Sequence, residues 1–359
     1  MQPHSLTRDE ARQIAVRAAL LDAERPNDLV GMVADLAMLR VELTPTVAPA
    51  ADLVAWTRLG AEYTPPDTAR ALASGQLFER GWMLRPMADL GLFLGGMRTW
   101  ADRAGARGWM EANEGFVGRI LDRIAADGPQ TSRDIPDEAE VPWMSTGWTN
   151  NRNVTQMLEF LHMTGELAVV AHAGRLRVWD LADRVFPGVA EVPEDDARLI
   201  RSERLLRACG IMRDSIAVSP GELHGVVPVG EPAAIEGVPG KWRVDPAQLG
   251  REFTGRTALL SPFDRLLTDP QRVGRLFEFD YMLEMYKPQK QRIWGRFALP
   301  ILHGDRLIGK LDARSDHTAG RFMVHAVHED APFDPATKAA VDAEIETIAS
   351  LLGLEIHHG

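Results

Sequence analysis

TNNRNVTQMLEFLHMTGELAVVAHAGRLRVWDL, residues 149–181, is the stretch whose periodicity decides the fold. Thr149, Asn150 and Asn151 are residue types that accept the free N–H groups at a helix start. The apolar positions that follow, up to Gly165, recur at helical spacing. Beyond Gly165 the period drops to two: ELAVVA and RLRVWDL alternate as strands, with His172-Ala173-Gly174 as the turn between them. Upstream, FVGRILDRIAADG (116–128) is a short amphipathic helix that Gly128 ends, and PQTSRDI (129–135) suits a turn and a brief second helix. Helix, helix, helix and hairpin in about 65 residues is the order of a winged helix-turn-helix, whose third helix enters a major groove while the hairpin flanks it. The same unit also serves elsewhere as a protein-interaction module.

Working toward the C-terminus, 197–211 (ARLIRSERLLRACGI) begins a similar unit with a helix. The following 219–245 has too many Gly and Pro for a full recognition helix. It reads as a degenerate winged unit that kept a hairpin, Val226 to Val229 and Trp242 to Val244. From Leu259 the chain is β-rich, with His303-Gly304-Asp305 as a hairpin turn. Asp334-Pro335 is an N-cap and first-turn proline opening a last helix that ends near Gly353.

Toward the N-terminus, Thr7 and Glu10 have capping-box spacing, and Ile14, Ala15, Ala18 and Leu21 follow at helical spacing. A second helix spans about Asn27 to Leu39. From Leu39 to Gly60, Pro45 and Pro49 resist continuing it, so an extended or kinked segment is expected, anchored by Val41, Val47, Leu53 and Trp56. In an extended chain Arg40 and Glu42 project to one side and Val41 to the other. A charged pair of this kind is either an ordinary solvated ion pair or the working edge of a functional loop. Thr64-Pro65-Pro66 starts another helix, and Gln76 to Met97, interrupted by Pro86, reads as core.

The 359 residues are 45% hydrophobic and 25% charged, ordinary values for a globular chain with ample core. No run of 18 apolar residues occurs, and no apolar leader follows Met1, so neither a membrane span nor a secretory signal is expected. Cys209 is the single cysteine, which excludes an internal disulfide and any multi-cysteine zinc site. His325 and His328 lie in an alternating strand pattern and no HExxH occurs, so no metal is expected. A cytoplasmic setting follows. The net charge of −11 opposes nucleic-acid binding, but its distribution is uneven. Residues 241–321 hold fifteen Lys or Arg against ten acids, while 329–359 hold seven acids and one lysine. A local basic surface is compatible with that asymmetry.

Together these segments resemble the tandem winged-helix DNA glycosylases of the AlkZ/YcaQ type, over roughly residues 7–330. The parts that carry the resemblance are VAPAADLVAWTRLG (47–60), MLRPMADLGLF (83–93), LLSPFDRLL (259–267), FDYMLEMY (279–286) and LPILHGDRLIGKLDARSD (299–316). The fold class expected is therefore α+β, mainly α, with tandem winged helix-turn-helix units and a C-terminal β-barrel-like region. The chain divides on this reading into an N-terminal helical region (1–112), a winged helix (113–188), a degenerate second winged unit (189–256), a barrel-like region (257–330) and an acidic C-terminal helix (331–359).

The resemblance implies cleavage of the N-glycosidic bond of bulky N-alkylated purines and crosslinks in double-stranded DNA, by a monomeric scaffold needing no cofactor. The family's catalytic signature, Gln-apolar-Gln or Gln-apolar-Asp, stands here as Arg40-Val41-Glu42. Glu42 keeps a carboxylate; Arg40 does not keep the amide. An alkylated purine is already cationic and leaves readily, and a carboxylate can stabilise the oxocarbenium-like sugar and activate water. A guanidinium beside Glu42 either neutralises it, at roughly 4 kcal/mol for charges about 4 Å apart, or binds a flanking phosphate. Candidate DNA contacts are Asn150, Asn151, Arg152 and Gln156 at the third helix, Arg175 and Arg177 in the wing, and Lys310 and Arg314 in the β-region. The rival functions are a non-catalytic DNA binder and a protein-interaction scaffold.

Overall fold

A computed structural model describes residues 2–42, 44, 46–145, 147, 149–186, 188–214 and 226–359. Helices and strands alternate in an α+β arrangement. The described residues form two compact units: one takes those up to 65 and those from 202 onward, the other takes 66–201.

In the first unit the sequence-local signals act as expected at the N-terminus. Thr7 and Glu10 reciprocally cap the helix Arg8–Ala18, Thr7 Oγ1 accepting the Glu10 N–H at 3.2 Å and Glu10 Oε2 the Thr7 N–H at 2.7 Å. Ile14, Ala15 and Leu21 enter a core with Trp242, Val244, Leu260 and Leu302. Ahead of the helix, the strand His4–Leu6 adds in parallel to Glu231–Ile235 at the edge of a four-stranded sheet. The hairpin in this sheet pairs Glu231–Ile235 with Val238–Val244, not Val226 to Val229 with Trp242 to Val244. Gly230 sets the boundary: its φ is +68°, and a Cβ there would lie 2.2 Å from Leu206 and 2.6 Å from the Val244 carbonyl oxygen. The fate of a recognition helix before this hairpin falls on 215–225, outside the described residues.

The C-terminal sheet runs Thr257–Leu259, Leu299–His303, Arg306–Asp316, Arg321–Glu329 and Glu355–His358 in that order. Its pairs are antiparallel except the last. Register shifts at Ile301/Leu302 and Asp312/Ala313 curl it. Asp334 caps the helix Pro335–Leu352 by accepting the Thr337 N–H at 2.7 Å, and Gly353 closes it in the left-handed region.

In the second unit the apolar stretch 76–97 is a buried hairpin, Leu77–Arg80 with Met83–Pro86, followed by the helix Gly91–Arg98. Gly81 and Trp82 both take positive φ, as a two-residue hairpin turn requires. Then come the helix Glu114–Asp127, a two-residue strand Gln130–Thr131, the helix Asn153–Thr164, and the hairpin Leu167–Ala173 with Leu176–Leu181. The brief helix expected at 129–135 is absent. Thr131 donates its N–H and hydroxyl to Asp134 at 2.8 and 2.6 Å, a local closure that competes with helix formation. Among the described residues none between 135 and 152 is helical. Phe160 instead gathers the rings of Trp100, Trp109 and Trp143, each within 5.8 Å centre to centre.

Candidate functional site

The irregular segment expected over 39–60 is shorter than its prolines suggested. Leu39–Arg40 is a strand, and a helix, Ala50–Leu59, opens directly after Pro49. A proline just before a helix costs it no hydrogen bond, and nearly every side chain of this helix is buried, so packing stabilises it. What remains between is a loop closed on itself: the Ala50 N–H donates to the Glu42 carbonyl at 3.2 Å. Ser315 fastens it from the C-terminal sheet, its N–H donating to the Thr46 carbonyl at 2.9 Å and its hydroxyl to the Val47 carbonyl at 2.6 Å. Val41 and Val47 are buried. Pro45, one of the prolines expected to stiffen it, lies outside the described residues.

On this loop Glu42 is half-buried, and Thr44 donates to its Oε1 twice, from the backbone at 3.1 Å and from the hydroxyl at 2.7 Å. Among the described residues none donates a hydrogen bond to Oε2. Among the described residues no ion pair joins Glu42 to Arg40. The Arg40 guanidinium lies instead 5.1 Å from the centre of the Phe263 ring, and its Nε is buried without a hydrogen-bond partner. A contact salt bridge between the two is therefore not formed among the described residues.

Phe263 is presented by the turn Ser261-Pro262-Phe263-Asp264. Ser261 Oγ accepts the Phe263 N–H at 3.2 Å, and Asp264 accepts the Leu266 N–H at 3.0 Å. Asp264 also takes a two-pronged bond from Arg58 at 2.6 and 2.9 Å, and both side chains are fully buried. Beside Phe263 opens a hollow of about 750 Å³ walled by Pro262, Phe263, Phe279, Tyr281 and Met282. Thr44, Arg58, Phe263, Asp264 and Ser315 were not singled out from sequence. The motif LLSPFDRLL holds Phe263 and Asp264, VAPAADLVAWTRLG holds Arg58 and LPILHGDRLIGKLDARSD holds Ser315, so only Thr44 had no signal of this kind.

Asp52, 8% exposed in the first turn of the helix Ala50–Leu59, accepts the Tyr63 hydroxyl at 2.6 Å. Burial pushes its carboxyl from 3.8 up to about 6, and the Tyr63 bond opposes that rise. An acid whose pKa is raised on folding holds its proton more tightly in the folded state. Its contribution to stability is complete below about pH 4 and is lost as pH climbs to about 6, a loss on the order of 3 kcal/mol. Asp52→Asn, which still accepts from Tyr63, should therefore raise the unfolding free energy at pH 7.5 by about that amount and leave it unchanged at pH 4. Denaturant titrations at the two pH values measure this; an equal effect at both contradicts it.

The remaining candidates divide sharply by exposure. Asn150, Asn151, Arg152 and Arg175 are exposed and Gln156 is half-buried. The asparagines do not cap the helix Asn153–Thr164. Arg152 occupies the cap with no side-chain bond, while the Asn150 side chain accepts the Ser145 N–H at 3.0 Å and the Asn151 N–H bonds the Trp143 carbonyl. Arg177 is 4% exposed and not available to a ligand. It pairs with Glu79, donates to both oxygens of Glu159 at 2.7 and 2.6 Å, and lies 3.5 Å from the centre of the Trp82 ring. Lys310, 3% exposed, is likewise internal, 2.6 Å from Asp330 Oδ1 and over the rings of Phe279 and Trp294. Arg314 is exposed, one residue from Ser315.

Among the described residues no three His, Cys, Asp or Glu are placed to hold a metal ion, and no helix is long and apolar enough to cross a membrane. Residues 27–351 match the family model described as DNA glycosylase AlkZ-like. Among solved structures, the Streptomyces sahachiroi DNA glycosylase AlkZ is similar in fold, with a TM-score of 0.65 at 16% identity, covering 99% of this chain and 100% of that one.

Proposed function

The chain belongs to the AlkZ-like DNA glycosylase family, and from that premise we propose that it removes N-alkylated purines or crosslinked purines from double-stranded DNA, with Glu42 as the carboxylate that activates water. The observation that carries this is the state of Glu42: one oxygen fixed by Thr44, the other without a donor among the described residues, and the neighbouring guanidinium turned onto Phe263. Oε1 is held in place, so Oε2 can take a proton from a water attacking C1′ while the carboxylate's charge stabilises the oxocarbenium-like sugar. The purine, cationic once alkylated at N7 or N3, leaves as a neutral base and needs no acid.

DNA is held on this reading mainly through its backbone. Exposed Arg152, Arg175 and Arg314, with Asn150, Asn151 and Gln156, supply contacts from a reduced winged-helix element and from the C-terminal sheet. Backbone contacts of this kind make binding salt-sensitive and nearly independent of sequence. Arg177 and Lys310 hold their own folds together instead.

Incubation with DNA methylated at guanine N7 tests the reading: free 7-methylguanine should appear at a rate proportional to enzyme. Salt-sensitive binding with no release sinks the catalytic claim and favours a non-catalytic binder, which the Arg40 departure from the family signature supports. Arg40→Gln, which restores the amide and removes a cation that repels the cationic base, should speed release several-fold. An unchanged rate would mean that Arg40 does not oppose the reaction.

A further inference from the structure

Residues 284–296 (EMYKPQKQRIWGR) form a loop whose construction calls for a partner. It is tightly anchored. Glu284, 1% exposed, accepts the backbone N–H groups of Ile293 and Trp294 on Oε2 at 2.7 and 2.9 Å and the Lys287 ammonium on Oε1 at 2.9 Å. Arg292 Nε donates to the Lys287 carbonyl at 3.0 Å. Beneath, Trp294 stacks on Tyr281 at 17° and Tyr281 on Phe279 at 16°, and the buried Lys310 ammonium lies 4.2 and 4.9 Å from the Phe279 and Trp294 ring centres. Tyr281 is fixed in turn by its hydroxyl, which donates to the Ala298 carbonyl at 2.8 Å.

This rigid base turns apolar side chains to solvent. Tyr286 is 74% exposed and Ile293 68%. Between 285 and 296 there are four cations and no acid. Lys287 is answered by Glu284 and Arg292 feels the charge of the half-buried Asp312, while Lys290 and Arg296 form no ion pair among the described residues. In a chain of net charge −11 that local excess stands out. Interfaces with other proteins are depleted in lysine at their centres. A polyanion that also offers flat apolar faces fits better, and nucleic acid with unstacked bases is such a partner.

We propose that the loop 284–296 is a DNA-gripping element, with Lys290, Arg292 and Arg296 on backbone phosphates and Tyr286 stacked on a base left unstacked where the duplex is distorted. The proposal rests on DNA being the substrate and extends that reading to a surface no other residue assignment covers. Holding the loop rigid before binding spares the ordering cost that a mobile loop would incur.

Full-length protein, Tyr286→Ala and the triple variant Lys290→Ala/Arg292→Ala/Arg296→Ala would be titrated against a labelled intact duplex and a duplex carrying a stable abasic-site analogue, at several salt concentrations. Tyr286→Ala should weaken binding to the abasic duplex by about tenfold, the size of one base–aromatic stack, with the intact duplex and the salt dependence unchanged. The triple variant should weaken both and flatten the slope of log K against log salt by about 2.7, for three phosphate contacts. Tyr286, Lys290 and Arg296 are exposed and Arg292 is half-buried, so matched melting temperatures are required to verify the fold of the triple variant. If wild type binds and both variants match it within twofold, the loop proposal fails while the glycosylase reading stands. If wild type does not bind DNA, both fall. A change in self-association with unchanged DNA affinity identifies a protein interface and overturns the proposal.

Discussion

Glu42→Gln should reduce release of 7-methylguanine by about 10²- to 10⁴-fold, the usual contribution of a positioned general base, while leaving DNA affinity within a few-fold of wild type. The substitution is nearly isosteric. A glutamine in this position still offers an oxygen to the Thr44 N–H and hydroxyl, so the 42–50 loop keeps its closure through the Ala50 N–H and the Ser315 contacts. What is lost is the negative charge and the basic oxygen. The loss should therefore fall on kcat, with KM little changed, because the missing interaction develops only in the transition state. Thr44→Val supplies a second readout. It removes the 2.7 Å hydroxyl bond but not the backbone one, so it should lower kcat by a smaller factor and leave the carboxylate in place. A full rate in Glu42→Gln removes this carboxylate from the mechanism, whatever becomes of the family assignment.

The site was half legible in the sequence, and the division follows the range of the interactions. Where the determining chemistry is local, the residues announced it. Thr7 with Glu10, and Asp334-Pro335 with Gly353, mark helix ends that the structure keeps. Arg40 and Glu42 were picked out for the same reason, being neighbours in an irregular segment. What Arg40 rests on was not legible, because Phe263 lies more than two hundred positions away and only folding brings it there. Arg177 is the instructive case. Its strand alternates, and period two puts Arg177 on the face of Trp179, which is buried. That alternation was a signal that the side chain points inward. The side chain was instead read from its charge alone. Lys310 gave no such sign, since what buries it is the aromatic stack of a separate loop. The N-cap cluster at 149–151 misled for a different reason: an asparagine side chain bonds backbone of many kinds, and here that of Asn150 accepts from Ser145 in the loop ahead of the helix, while Asn151 joins the same loop through its main-chain N–H.

Asp264→Ala should destabilise the first unit by about 3–5 kcal/mol, the cost of leaving a buried charge without its partner. Arg58 is fully buried. Beyond the pair it donates from Nε and Nη2 to the Ala19 carbonyl at 3.0 and 2.8 Å, so it cannot swing out to water without breaking the turn after the first helix. Removing the carboxylate strands the guanidinium and frees the Leu266 N–H together. Asp264→Asn separates the two effects: its oxygen can still accept from Leu266, so any remaining loss reports the missing charge. The double variant Asp264→Ala/Arg58→Met should recover much of the stability, because no ion is then left unpaired in the interior. Chemical denaturation followed by tryptophan fluorescence measures all four proteins, Trp56 being buried on the same helix as Arg58. If the double variant recovers nothing relative to Asp264→Ala, the stranded guanidinium is not the source of the loss and the argument from burial fails. The functional corollary uses the turn itself. Asp264, the residue after Phe263, ties this turn to Arg58 and to the Leu266 N–H, so at a temperature where Asp264→Asn remains folded the ring under Arg40 should be less fixed. Base release should then fall while Glu42 and its Thr44 bonds are untouched.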